Sequence, residues 1–572
     1  MSLALSIVIA VFDTIGIALF LPLFQLISNP DSPQNIFEKI PFINQFISDF
    51  EFKKGIYFIQ IGILLVFLLK GIFKYFESIY RNKIQEAFIR KIRFTCLDLL
   101  SGLEYESFLK IDTGRIQNTL TVEVFNVAQA LRIVINLVQS SVFVLVYFGI
   151  ALVLNPIFTL LVIFGSFLVH LLFKPFFLST KSLSIAITQK GHKLSELFLN
   201  YIQYYKYFKA TGTNLVFVNR VKQKSYDIEE GNITKAKNES VLNSFREPLI
   251  IFVLLASIFL QSIINPSGLA TSFISIILIY RGTTYSGSLQ SFWNSLLSVS
   301  GSVFNMNDFI VDLNKNQIVS GTNSIASFEE KIEFTNVDFY FGSNHVLKNI
   351  SFEIPKNSTS AFVGESGSGK TTIANLLSGL LKLKNGNGII GIDGVSYDQL
   401  ELKSLQKRIG YVTQEAVIFA DSVYNNVTLW DEKNEINLQK FQLAISQASL
   451  DDLFKIQSFD ENTIIGSEGV YLSGGQLQRI GIARELYKGC DIFVFDEATS
   501  SLDPQNENII KENIEILKQD FTIILIAHKF SLIKDCDMIF YLERGQIKSR
   551  GSFDQLIDEN ENFSRMVNLQ KI

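Results

Sequence analysis

The chain has 572 residues, more than one ordinary domain holds, and suits two or three. Hydrophobic residues make up 48% and mean hydropathy is +0.26, high for a soluble protein and low for a wholly membrane-embedded one, so a membrane part joined to a soluble part is expected. A net charge of −4 gives no general affinity for nucleic acid, and three scattered cysteines (Cys96, Cys490, Cys536) with four histidines argue against a disulfide framework or a zinc site.

The first thirty residues carry one charge, Asp13, and no basic leader, so the apolar run 3–27 reads as a retained membrane span, not a cleaved signal. The following loop, 28–54, sets Ile36, Phe37, Ile40, Ile43, Phe46, Ile47 and Phe50 at helical spacing and predicts a short amphipathic helix on the outer surface. A second span lies near 55–73. A bilayer core of about 30 Å takes about 20 helical residues. From Ile133 to Phe173 run 41 residues without Asp, Glu, Lys or Arg, enough for two spans (133–154 and 157–173), with Asn155-Pro156 breaking the helix in a tight hairpin. Between Glu247 and Asp308 the only charge is Arg281, and Asn265-Pro266-Ser267-Gly268 reads as a turn between spans 248–264 and 269–300. The expected total is six. The segment 174–246 carries 12 Lys and Arg and the hairpin tips carry none, which puts 174–246, and with it 77–130, in the cytoplasm. Both internal segments look helical and too polar for lipid, hence long extensions of the membrane helices.

Residues 1–310 thus form an expected membrane domain, the polar, Gly- and Ser-punctuated 311–331 a linker, and 332–572 a domain of alternating strands and helices. The apolar run Ser360–Val363 leads into Gly364-Glu365-Ser366-Gly367-Ser368-Gly369-Lys370-Thr371-Thr372 and then a helix-like stretch, the context a phosphate-binding P-loop requires. Its glycines let backbone N–H groups turn toward phosphate oxygens, and the helix N-terminus adds positive potential. Lys370 is expected at the β/γ-phosphates of ATP and Thr371 on Mg²⁺. Ile492–Glu497 is an apolar strand ending in two carboxylates. Asp496 would hold Mg²⁺ through water, and Glu497 would polarise the attacking water; the plain alternative is a strand end with solvated acids.

Leu472-Ser473-Gly474-Gly475-Gln476 resembles the signature motif of ABC ATPases, and P-loop, signature and carboxylate strand stand in that family's order. On this resemblance Ser473, Gly474, Gly475 and Gln476 complete the ATP site of an opposite subunit. Gln414 resembles the Q-loop glutamine, a Mg²⁺ ligand; Asp503 the D-loop aspartate; and His528 the switch histidine at the γ-phosphate. Phe341 falls where the family has an adenine-stacking tyrosine, with Tyr340 as a rival. Thr463–Gly469 resembles the exporter X-loop, with Ser467 in place of its glutamate. Another departure is that the sequence starts almost inside the membrane, where family members usually have an elbow helix before the first span; either the start is truncated or the elbow is absent.

Six spans followed by one ATPase domain is similar to the bacterial exporter type of ABC transporter. The implied fold class is an α-helical membrane domain with long cytoplasmic extensions plus an α/β P-loop ATPase domain, set in a bacterial inner membrane with the ATPase in the cytoplasm. One copy of each motif implies a homodimer, a heterodimer remaining open, with coupling helices near 105–114 and 212–219. The first span (Phe12–Pro22) and Tyr280-Arg281 resemble lipid-linked oligosaccharide flippases, which implies a polyprenyl-pyrophosphate-linked sugar as substrate. The alternatives are a multidrug, lipid or peptide exporter, and an ATP-gated channel. Arg281, isolated within an apolar window, is either a phosphate contact in a wet cavity or a structural residue that pairs with an acid such as Asp13 or snorkels to the interface.

Overall fold

The computed structural model describes residues 2–20, 52–264, 273–384, 386–455, 459–466, 469–498, 504–527 and 529–570. The predicted amphipathic helix of the 28–54 loop, the 265–268 turn, Ser467, Asp503 and His528 lie outside the described residues. Two units emerge: Met1–Leu103 with Ser107–Gln317, and Glu104–Glu106 with Ile318–Ile572.

The first unit is helical: α1 (Ser2–Ala18), α2 (Phe52–Ser101), α3 (Val124–Leu154), α4 (Pro156–Gln203), α5 (Asn214–Ile264), α6 (Phe273–Ser298) and α7 (Ser300–Lys315). Four helical stretches among the described residues are long and apolar enough to cross a membrane, at Ile59–Ser101, Thr113–Val153, Pro156–Gln203 and Asn214–Ile263. α2, α4 and α5 have 50, 48 and 51 residues. At 1.5 Å per residue each is roughly 75 Å long, well beyond a bilayer core, as the polar internal segments require. The α3–α4 hairpin forms where Asn155-Pro156 predicts it. Asn155 is extended (φ −147°), its Oδ1 accepts from Phe158 N at 3.3 Å, and Pro156 opens α4, where a missing N–H costs nothing. Small residues let the helices approach: a Cβ on Gly165 would lie 2.6 Å from Val253 Cγ1 of α5.

Three local expectations are refined. The connection between α2 and α3 holds a four-residue helix, Tyr105–Phe108, and then a new start at Thr113, capped by Asp112. In the connection between α4 and α5, 212–219 is no separate helix: Gly212 (φ +69°) makes the turn into α5, and the short helix is Tyr205–Ala210, upstream. Helix α7 runs to Lys315, into the 311–331 segment.

The second unit contains β1 (Lys331–Phe341), β2 (Asn344–Pro355), β3 (Thr359–Gly364), β4 (Ile389–Ile392), β5 (Val395–Ser396), β6 (Ile409–Val412), β7 (Asp421–Ser422), β8 (Ile464–Ile465), β9 (Ile492–Asp496), β10 (Thr522–Ile526), β11 (Met538–Glu543) and β12 (Gln546–Gly551). An antiparallel sheet has the order β2-β1-β4-β5, and the principal sheet the order β12-β11-β3-β10-β9-β6. In the latter β11, β3, β10, β9 and β6 are all parallel. Side chains alternate between two buried faces: Phe362, Val494, Ile524 and Ile526 enter one core, Val363, Phe493, Phe495 and Leu525 the other. That is why these strands read as unbroken apolar runs rather than alternating ones.

Candidate ATP site and a charged cluster among the membrane helices

Because β3, β10, β9 and β6 are adjacent and parallel, their carboxyl ends share one edge, the usual ligand crevice of such sheets. β3 ends at Gly364 and opens the P-loop, β9 ends at Asp496, and β6 leads through Thr413 to Gln414. Thus the sheet gathers segments from distant parts of the chain.

The P-loop needs its glycines. Gly364 has φ +153°, and a Cβ there would lie 2.2 Å from Leu542 O; Gly369 has φ +107°, and a Cβ would lie 2.5 Å from Leu347 Cδ2. Gly367 (φ +79°) also takes a left-handed turn. Lys370 opens helix α8 (Lys370–Leu377) with Thr371 and Thr372 beside it. Its Nζ donates to the carbonyl oxygens of Gly364 (2.9 Å) and Glu365 (3.0 Å), which curls the side chain along its own loop. Burial pushes the Lys370 pKa down, and the nearby Glu497 and Asp496 carboxylates oppose that shift. Ser368 Oγ is buried with no hydrogen-bond partner among the described residues, while Ser366 lies at the loop's exposed outer turn. A close-walled loop with a buried cation and an unpaired hydroxyl fits a polyphosphate. The oxygen donors Thr371, Gln414 and Asp496 are of the hard type that suits Mg²⁺.

Asp496 is held by a group that motif reading missed. Tyr411 Oη donates to Asp496 Oδ2 at 2.7 Å. Burial pushes the Asp496 carboxyl pKa up, and the Tyr411 hydrogen bond pulls it back. Glu497 follows with φ +52°, an uncommon backbone for a non-glycine residue, anchored by its N–H donating to Ile526 O at 2.9 Å. A second missed residue is Gln478 on α9 (Gly474–Lys488), 3% exposed. Its Nε2 donates at 2.8 Å to both Thr413 O and Ala498 O, tying α9 to the residues flanking Gln414 and Glu497.

The signature residues form the start of α9. Ser473 caps it in a capping box: Ser473 Oγ accepts from Gln476 N at 3.3 Å, and Gln476 Oε1 accepts from Ser473 N at 2.8 Å. Ser473 and Gly474 are exposed and Gly475 is buried. Phe341 is half-buried, edge-on to Phe339 with centroids 5.0 Å apart. Tyr340 stacks on His345 at 4.1 Å, and His345 Nε2 lies 2.7 Å from Asp338 Oδ1. That stack occupies one face of the rival tyrosine.

In the first unit, Asp13 is 1% exposed and is held by Lys70 Nζ and Tyr147 Oη. The suggested Asp13–Arg281 pair is therefore corrected, because Asp13 already has its cation and a hydroxyl donor. Tyr285 stacks on Phe143 (4.5 Å) and Tyr147 (5.7 Å), and Arg281 lies within electrostatic reach of both tyrosines. Arg281 itself is exposed, with no hydrogen bond or ion pair among the described residues.

Residues 347–500 match the sequence pattern of the ABC transporter family. Over 565 residues the chain is 26% identical to the heterocyst differentiation ATP-binding protein HepA of Nostoc sp., covering 97% of this chain and 91% of that protein. Over 520 residues it is 28% identical to the ATP-dependent lipid A-core flippase of Pseudoalteromonas translucida, covering 88% and 87%. A solved bacterial Atm1-family ABC exporter with ATP bound shares the fold over 100% of this chain and 98% of its own, with TM-score 0.80 and 21% identity. Residues 347–500 therefore carry the ATP-hydrolysing domain of ABC transporters, joined in one chain to a helical membrane part, and over nearly its whole length the chain is similar to ABC-type flippases and shares the fold of an ABC exporter.

Proposed function

We propose that this protein flips an amphipathic, phosphorylated lipid across the bacterial inner membrane by alternating access, as a homodimer with six spans per chain. The substrate we favour is a polyprenyl-pyrophosphate-linked oligosaccharide. Arg281 carries this reading. It is an exposed guanidinium on α6, within a 60-residue window (248–307) otherwise free of Asp, Glu, Lys and Arg, and it lacks an ion pair among the described residues. Such a group in a membrane is costly unless it serves a ligand, and its planar fork suits phosphate oxygens. The relatives named lipid A-core flippases support a phosphorylated glycolipid as the substrate class.

In the proposed cycle each P-loop holds ATP through its backbone amides, Lys370 contacts the β/γ-phosphates, and Phe341 stacks on adenine. Thr371, Gln414 and Asp496 would hold Mg²⁺, which when bound neutralises phosphate charge. Ser473 to Gln476 of the second copy close over the γ-phosphate, where the Ser473 hydroxyl proton and the α9 N-terminus provide donors. Glu497 polarises a water that attacks the γ-phosphorus; the bond to the ADP oxygen breaks, leaving ADP and phosphate. His528 and Asp503 act at the γ-phosphate and at the opposed site. Closure of the ATPases passes through segments 105–114 and 205–219 to the long helices, turning the cavity outward, and hydrolysis resets it.

The test is substrate-stimulated ATPase activity in nanodiscs. Polyprenyl-pyrophosphate oligosaccharide should stimulate wild type and not Arg281→Ala, whose unstimulated activity stays unchanged. Equal stimulation of both proteins would remove Arg281 from substrate binding. Stimulation by neutral amphiphiles alone would favour a drug exporter.

A further inference from the structure

We infer that Tyr411 is a positioning residue for the metal side of the candidate ATP site, its hydroxyl fixing one carboxylate oxygen of Asp496 so that the other would be free to hold the cation, directly or through water.

The strand geometry builds this contact. Tyr411 on β6 pairs with Val494 on β9, so it lies diagonal to Asp496 on the same sheet face. A tyrosine is long enough to span that diagonal, and its hydroxyl donates to Asp496 Oδ2 at 2.7 Å. The ring cannot swing away, because it packs against the core under that face, which contains Ile409, Ile492 and Val494 and which Tyr105 also joins. Asp496 Oδ1 has no hydrogen bond among the described residues, so the carboxylate is tethered on one side only. An aspartate at the last residue of a strand has two free side-chain torsions. A hydrogen bond from a rigid, packed ring removes that freedom before the metal arrives, which is the supporting contact that precise cation placement needs. Nothing in the motif spacing marks position 411, since the residue acts across a strand pair and not along the chain.

This inference rests on Asp496 being a metal ligand, and the experiment separates the two claims. Mn²⁺ binding to the full-length protein with a non-hydrolysable ATP analogue is measured by electron paramagnetic resonance. Nucleotide binding in chelator is measured beside it. Tyr411→Phe should weaken Mn²⁺ binding by roughly tenfold or more, the scale of one hydrogen bond to a charged group. It should leave metal-free nucleotide affinity unchanged and lower the unfolding temperature by only a few degrees, as one lost hydrogen bond does. 4-Aminophenylalanine at position 411, which returns a donor at the same ring position, should recover the Mn²⁺ affinity. Unchanged Mn²⁺ binding in Tyr411→Phe, with Asp496→Asn impaired, would overturn the role of Tyr411. Equal losses of metal-free and metal-dependent binding would overturn it too, by making the residue a general support of the loop. Normal Mn²⁺ binding in Asp496→Asn would instead remove the metal reading of Asp496.

Discussion

Replacing Gln478 by leucine keeps the approximate volume of a side chain that is 3% exposed and deletes only its polar end. Two hydrogen bonds of 2.8 Å disappear, and the carbonyl oxygens of Thr413 and Ala498 lose their shared donor. Each net bond is worth about 1 kcal/mol, and a buried group left unpaired costs about 1–3 kcal/mol. With one of the two carbonyls reaching water, the sum is roughly 3 kcal/mol. For a domain of about 250 residues this lowers the melting temperature by about 6–12 °C. The functional loss should exceed the structural one, because the two carbonyls flank Gln414 and Glu497. We expect the turnover of ATP to fall at least about tenfold, the effect of a small misplacement of Glu497, the carboxylate we propose polarises the attacking water, with ATP affinity nearly intact. Calorimetry and steady-state ATPase assays on the purified full-length protein give both numbers. Gln478→Glu should be worse still, since it sets a carboxylate against two carbonyl oxygens. A Gln478→Leu protein with unaltered melting and turnover would refute the argument that this amide ties α9 to the strand ends.

Glu497→Gln should bind ATP as tightly as wild type and hydrolyse it about 10²–10⁴-fold more slowly, the usual worth of a positioned general base; radiolabelled ATP retention and phosphate release check this. Gly369→Ala sets a Cβ at φ +107° and 2.5 Å from Leu347 Cδ2, and should cost about 1–3 kcal/mol and most ATP binding, read by melting and by fluorescent-nucleotide titration. Glu485 has its carboxyl pKa raised in the fold by burial, against the pull of Lys488 3.2 Å away. A raised native pKa means the folded state keeps the proton longer, so this group's contribution falls as pH rises from the ordinary carboxylate value through the native one. Glu485→Gln should therefore flatten the fall in melting temperature over that window; an unchanged pH profile would contradict the assignment.

The loop and strand geometry of the candidate ATP site was legible where chemistry forces residue type. Positive-φ turns demanded Gly364, Gly367 and Gly369, and a parallel strand buried on both faces demanded the run before Asp496. The α3–α4 hairpin was legible for the same reason, since proline and an asparagine cap leave the backbone little choice. Tyr411 and Gln478 were not, because each acts through a neighbour fixed only once strand order and the seat of α9 are known. The Asp13–Lys70 pair left a trace: each is the one charged residue of its expected span, and their signs are opposite. Reading the spans one at a time hid it. The short helix Tyr205–Ala210 left no such signal, since the nearest punctuation, Gly212, marks the turn after it.

The most direct test of the account is ATP-dependent translocation of a fluorescent polyprenyl-pyrophosphate oligosaccharide in proteoliposomes, with Glu497→Gln and Arg281→Ala beside wild type. The account predicts transfer by wild type alone. Robust ATP hydrolysis that depends on Glu497, without any transfer of the lipid, would contradict the proposed substrate, and transfer that continues in Glu497→Gln would contradict the ATP-driven mechanism itself.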